Sequence, residues 1–134
     1  MRFAGKEAVF CYGTLLLPQY QQRLFGARLP CVHAVLPGWR LRMGFDGYRF
    51  IQPSPHKSVH GKLIRLTPQQ LKKADEWEDT PYYRREQVVF RNRHQAMTVW
   101  VYSRRNGKGR PCPPHLLTTH SNARLVLRRH RHLF

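Results

Sequence analysis

Ala8 to Tyr12 is an unbroken apolar, β-prone run that stops at Gly13. A run this short, closed by a glycine, reads as a buried strand. A buried strand needs partners, and the rest of the chain offers several. Val32 to Leu36 and Arg40 to Met43 read as strands separated by the turn dipeptide Pro37-Gly38. Asp46-Gly47 is a second turn, followed by a short strand from Tyr48 to Ile51. Gln52 to Lys57 contains Pro53 and Pro55 and reads as loop. Val59 to Leu66 alternates, with Val59, Gly61, Leu63 and Arg65 on one face and His60, Lys62, Ile64 and Leu66 on the other. Tyr83 to Arg91 and Ala96 to Ser103 read as two further strands joined at Asn92-Arg93-His94, and Asn106 to Gly109 as flexible loop.

Helical signals are fewer. Thr67-Pro68 supplies an N-cap with proline at the first helical position, and Leu71, Ala74 and Trp77 then recur every three residues. That helix should run to about Trp77 and end before Thr80-Pro81. Leu15 to Phe25, opened by Pro18 and stopped by Gly26, reads as a short helix or a turn. Ser121 or Asn122 caps a last, very basic helix from Ala123 to about Arg131. Many short strands with few helices make an α+β architecture, a small mixed barrel or curled sheet with helices at its edge.

The chain's 134 residues form one domain, with a core-forming body over 1–105. Residues 106–134 form a basic C-terminal extension, helical in part and packed on that body. No stretch approaches the ~20 apolar residues of a membrane span, and no secretory signal opens the chain. Cys11, Cys31 and Cys112 are odd in number and scattered, which fits a reducing compartment and no disulfide framework. These features predict a cytoplasmic protein. Cys112-Pro113-Pro114-His115 has metal-like spacing but no second pair, so neither a metal nor a cofactor is expected.

Charge is the anomaly. The chain has 24 Lys and Arg against 7 Asp and Glu, a net charge of +17, and all seven acids lie at or before Glu86. Such a surface attracts polyanions without reading sequence. After Tyr102 no aromatic residue before Phe134 interrupts the basic tail, so a base-stacking platform is missing. Any nucleic-acid partner is therefore held by non-specific electrostatics.

Two segments carry chemistry. The strand end at Tyr12-Gly13-Thr14-Leu15 lets backbone approach a ligand closely, and its successive N–H groups can form an anion cradle. On composition alone the favoured reading is a plain turn permitted by Gly13, with Tyr12 packed in the core. The second segment is the acidic island Asp75-Glu76-Trp77-Glu78-Asp79. Asp75 and Glu78 share a face near the helix end, where crowding and the negative end of the helix dipole favour a raised pKa for any desolvated member. A carboxylate so tuned can take and return a proton. A solvated helix end balancing Arg84 and Arg85 is the purely structural reading.

The ordered set of motifs resembles the gamma-glutamylcyclotransferase-like family, including the plant avirulence-induced-gene type and its bacterial relatives. Tyr12-Gly13-Thr14-Leu15 matches the family's Tyr-Gly-Ser/Thr-Leu/Asn loop. Leu36-Pro37-Gly38-Trp39 is similar to its Leu-x-Gly region, and Val59-His60-Gly61-Lys62-Leu63 to its Val-x-Gly-x-Leu/Tyr strand. Ala74-Asp75-Glu76-Trp77-Glu78 matches Leu-Asp-x-x-Glu. Tyr83-Arg84-Arg85 and Val99-Trp100-Val101-Tyr102 follow the family's later strands. The likeness covers residues 8 to 103. Ala74 departs from the usual leucine, and Asp79 stands where many relatives have glycine.

The resemblance implies an enzyme, a lyase or acyltransferase acting by intramolecular aminolysis. A small gamma-glutamyl amide would cyclise to 5-oxoproline with release of an amine or amino acid. It implies Glu78 as general acid/base, with Tyr12, Gly13, Thr14, Leu15 and Tyr83 binding the substrate. Two other readings remain at this level: a non-catalytic ligand-binding protein of the same fold, and a basic nucleic-acid-associating protein.

Overall fold

The computed structural model describes residues 5–78, 83–91 and 96–112. Its elements run β1 (Glu7–Cys11), a 3-10 turn (Thr14–Leu16), α1 (Pro18–Phe25), β2 (Val32–Gly44), β3 (Arg49–Leu66), α2 (Pro68–Glu78), β4 (Arg84–Arg91), β5 (Ala96–Ser103) and β6 (Gly109–Pro111). The six strands form one curled, half-barrel sheet in the order β4-β5-β1-β3-β2-β6. β1 runs parallel to β5 and antiparallel to β3, so the sheet is mixed.

β1 lies near the middle of this sheet, which explains its unbroken apolar sequence. Its residues alternate between two cores. Val9 and Cys11 face a core with Leu15, Leu17, Tyr20, Ile64, Leu66, Leu71, Ala74 and Trp77, beneath the two helices. Ala8, Phe10 and Tyr12 face another with Leu36, Trp39, Ile51, Val59, Val99 and Val101. A strand buried on both faces has no polar side to show.

α2 begins as its sequence predicts. The Thr67 hydroxyl accepts from the Gln70 N–H at 3.2 Å, and the Gln70 side chain accepts from the Thr67 N–H at 3.0 Å, a reciprocal capping box. Leu71, Ala74 and Trp77 are its buried face. Burying a side chain such as Leu71 stabilises by roughly 1.5–3 kcal/mol. α1 starts at Pro18, whose missing N–H costs a first turn nothing, and stops at Gly26 in the left-handed conformation.

Three sequence expectations are corrected. Pro37-Gly38 does not separate two strands: β2 continues through it with a register shift at Gly38, where φ is 85°. Gln52 to Lys57 is not loop but part of β3. Pairing jumps from Pro37–Ser58 to Trp39–Pro53, so Ser54 to Lys57 pass the kink without registered partners. A proline at 55 therefore interrupts no ladder bond, and the bulge absorbs what would have broken a regular strand. Finally, Gly109 leaves the loop expected over Asn106 to Gly109 and, with Arg110 and Pro111, forms β6 along β2. The Gln52 amide holds the connection there by donating to the Gly107 carbonyl at 2.6 Å and the Arg105 carbonyl at 3.1 Å. The helix end at Thr80-Pro81, the hairpin turn at 92–94 and the basic helix at 123–131 lie outside the described residues.

Candidate active site

β1 delivers Tyr12 and Gly13 to the rim of the sheet, and the chain then turns at once into the 3-10 turn. Leu16 and Leu17 donate back to the Gly13 and Thr14 carbonyls at 3.1 and 3.0 Å. The N–H groups of Thr14 and Leu15 open this turn, where the turn itself offers them no carbonyl. Gly13 has an ordinary φ of −136°, so no left-handed strain requires glycine. A Cβ there would meet nothing within 4 Å: the backbone borders open space. The contrast is Gly61, on β3 beside the end of β1. A Cβ on Gly61 would lie 2.3 Å from the Cys11 carbonyl oxygen and 2.7 Å from the Phe10 ring. The glycine of the Val-x-Gly-x-Leu stretch thus lets β3 press against the strand that carries the turn.

The turn is clamped from two sides. Buried Gln21 of α1 donates from Nε2 to the Leu15 carbonyl at 2.7 Å and accepts from the Leu29 N–H at 2.9 Å. From α2, the Trp77 indole Nε1 donates to the Thr14 hydroxyl at 3.0 Å. The Trp77 ring is 1% exposed and packs on Tyr20 with centroids 5.0 Å apart. Gln21 carries no sequence signal, because nothing local distinguishes an inward glutamine from a solvated one on a short helix.

Trp77 fixes the position of its neighbour. Glu78 ends α2 and is half-buried. Its carboxylate acts on both the end of β1 and β5. Burial pushes the Cys11 thiol well up, and the Glu78 charge adds to that rise. Burial also pushes the Tyr12 hydroxyl well up, with Tyr83 and then Glu78 adding to it. The Tyr102 hydroxyl is raised by burial first, then by its hydrogen bond to Asp75 and the charges of Asp75 and Glu78. The Glu78 charge thus acts on all three side chains.

The two acids one turn apart differ in their surroundings. Asp75 accepts from the Tyr102 hydroxyl and from Arg85 Nε, each at 2.7 Å. Arg85 in turn lies over the Trp100 ring, 4.1 Å from its centroid. These contacts make Asp75 an anchor that joins α2 to β4 and β5. Glu76 is exposed, and Asp79 lies outside the described residues.

The remaining predicted binding residues are held firmly. The Tyr12 hydroxyl donates to the Tyr102 carbonyl at 2.7 Å, and the Tyr83 hydroxyl donates to the Arg49 carbonyl at 2.7 Å. Both rings are buried, Tyr83 to 3% exposure. The Leu15 side chain belongs to the core at 2% exposure, so what it can offer a ligand is main chain. The structure thus holds Tyr12, Gly13, Thr14 and Leu15 at one strand end and joins the end of α2, which carries Glu78, to that turn through Trp77 and Thr14, while Tyr83 supports the region from within.

The sequence and the fold both match a known family. The family model described as "Gamma-glutamyl cyclotransferase, AIG2-like" matches residues 9–120. The chain belongs to this family. Its match runs past Arg104, where the residue-by-residue likeness stops, and takes in β6. AIG2-like protein C of Arabidopsis thaliana is 32% identical over 108 residues, 77% of this chain. The aligned region spans 63% of that relative's length. Among solved structures, a solution structure from Arabidopsis thaliana superposes with a TM-score of 0.67 at 24% identity, covering 98% of this chain and 87% of that one. A structure named gamma-glutamyl cyclotransferase superposes with a TM-score of 0.67 at 22% identity, covering 83% and 73%. At these identities the superpositions establish the shared fold.

Proposed function

We propose that this family member is an enzyme that cyclises the gamma-glutamyl group of a small amide to 5-oxoproline, with Glu78 as general acid/base. The observation that carries the reading is the Trp77 indole bond to the Thr14 hydroxyl at 3.0 Å, which holds the helix end bearing Glu78 against the turn that follows Gly13.

Glu78 takes a proton from the substrate's α-ammonium. The freed amine attacks the γ-carbonyl carbon, forming the ring C–N bond and moving an electron pair onto the oxygen. As that pair returns, the amide C–N bond breaks and the departing amine receives the proton from Glu78. The ring nitrogen then gives its second proton to the carboxylate, which passes it to the free amine, so the products are a neutral lactam and an ammonium. The nucleophile is tethered to its electrophile, so the protein's main task is to hold a folded substrate conformer. The Thr14 and Leu15 N–H groups bind the anionic parts of the substrate, and open space beside Gly13 admits it to the backbone. Tyr12 borders the substrate with its ring, and buried Tyr83 backs that wall from within. One carboxylate serves all these proton transfers, so no serine or cysteine nucleophile is required.

Cys11, Cys31 and Cys112, odd in number and scattered, fit a reducing compartment, and we assign the reaction to the cytoplasm. The described chain contains no helix long and apolar enough to cross a membrane. The test is incubation with gamma-glutamyl amino acids and gamma-glutamylamines while 5-oxoproline is measured. Release of 5-oxoproline that is lost in folded Glu78→Gln supports the reading. Binding without turnover across the panel would instead favour a ligand-binding member of the fold.

A further inference from the structure

A pair of imidazoles lies outside the site described above. β2 and β3 bring His33 opposite Lys62 and Val35 opposite His60. The two histidines are therefore diagonal neighbours on one face of the ribbon, within reach of each other. His60 Nδ1 faces His33 Nε2 at 3.4 Å, with ring centroids 5.5 Å apart and planes inclined at 41°. Both residues are exposed.

That separation is long for a hydrogen bond through nitrogen, which prefers about 2.7–3.2 Å. It fits a different geometry. Two imidazole nitrogens each about 2.0–2.1 Å from one zinc ion, at a tetrahedral angle, stand roughly 3.3–3.4 Å apart. We propose that His33 and His60 form a two-histidine chelate for a borderline divalent cation of the Zn2+, Ni2+ and Cu2+ class, on the exposed face of the β2–β3 ribbon.

The backbone under the pair is fixed by continuous antiparallel register on both sides, so the chelate needs little reorganisation. Imidazole donors select this class of ion over Mg2+ or Ca2+. Among the described residues no third His, Cys, Asp or Glu completes a cluster, so water fills the remaining positions. Lys62, directly across from His33, places a cation nearby and keeps the affinity modest. The inference is independent of the cyclotransferase reading.

The chain carries 8 histidines, so the readout is a difference. Zn2+ is titrated calorimetrically into the untagged full-length protein and into the variants His33→Asn, His60→Asn, their double variant and the control His56→Asn. Either single substitution in the pair weakens one zinc equivalent by roughly 10²-fold or more, the usual gain from a second linked ligand. The double variant loses no further equivalent, and the control matches the parent. A parent-like titration in either single variant, or losses that add in the double variant, overturns the proposal. Diamagnetic Zn2+ gives a second readout by NMR: ring-nitrogen shifts of His33 Nε2 and His60 Nδ1 that move together at one equivalent support the chelate, and a shift at one ring without the other refutes it.

Discussion

The Trp77 indole N–H donates to the Thr14 hydroxyl at 3.0 Å, joining residues 63 positions apart. One bond thereby sets the last turn of α2 against the turn that follows β1. Glu78 is the next residue along the helix, so this contact also sets where its backbone lies relative to the Gly13 turn. Removing the acceptor with Thr14→Val should cost about 1 kcal/mol, the net worth of one such bond. Urea unfolding of the ligand-free protein measures it, and an unchanged midpoint would show that the bond holds nothing in place.

Glu78→Gln keeps the size and shape of the side chain and removes its ability to exchange a proton. Formation of 5-oxoproline should fall by at least about 10²-fold, within the usual range for general acid–base catalysis. Near-UV circular dichroism should match the parent. Retained turnover in a well-folded variant would assign the proton transfers to another group.

Two glycines near the strand end should respond in opposite ways. Gly61→Ala drives a methyl against the Cys11 carbonyl and the Phe10 ring, and overpacking of this kind costs roughly 1–3 kcal/mol. Gly13→Val places its side chain in open space at an ordinary φ, so stability should change by less than about 0.5 kcal/mol. Affinity for a gamma-glutamyl ligand should nevertheless drop. Thermal melts and ligand titrations on both variants separate packing from access.

Glu86 gives the fold a defined acid response. Burial disfavours its ionised form, but hydrogen bonds from Arg105 and Ser103 outweigh this and hold its carboxyl below the ordinary value. The bidentate Arg105 contact includes Nε to Oε2 at 2.9 Å. A depressed folded pKa contributes stability above the unfolded value, about 4.3, and that stability is lost as pH falls through the folded value. The melting-temperature gap between parent and Glu86→Gln should therefore be present at pH 6 and shrink below pH 4. A constant gap would mean that the pairing charge contributes nothing.

Local chemistry alone was enough to define β1 and its stop at Gly13, the Thr67 cap of α2, and the buried row Leu71, Ala74 and Trp77. Each depends on residues within a few positions of one another, where backbone preference and side-chain period speak directly. Tertiary structure decided the rest. Cross-strand pairing carried β2 through Pro37-Gly38 and β3 through two prolines, because the bulge lets a distant partner supply hydrogen bonds that local propensity denies. The same long-range packing added β6, turned Gln21 inward to clamp Leu15, and set the end of α2 against the turn that follows β1. The approach of a helix terminus to a strand end depends on contacts between segments some sixty residues apart, and a linear sequence does not encode that distance.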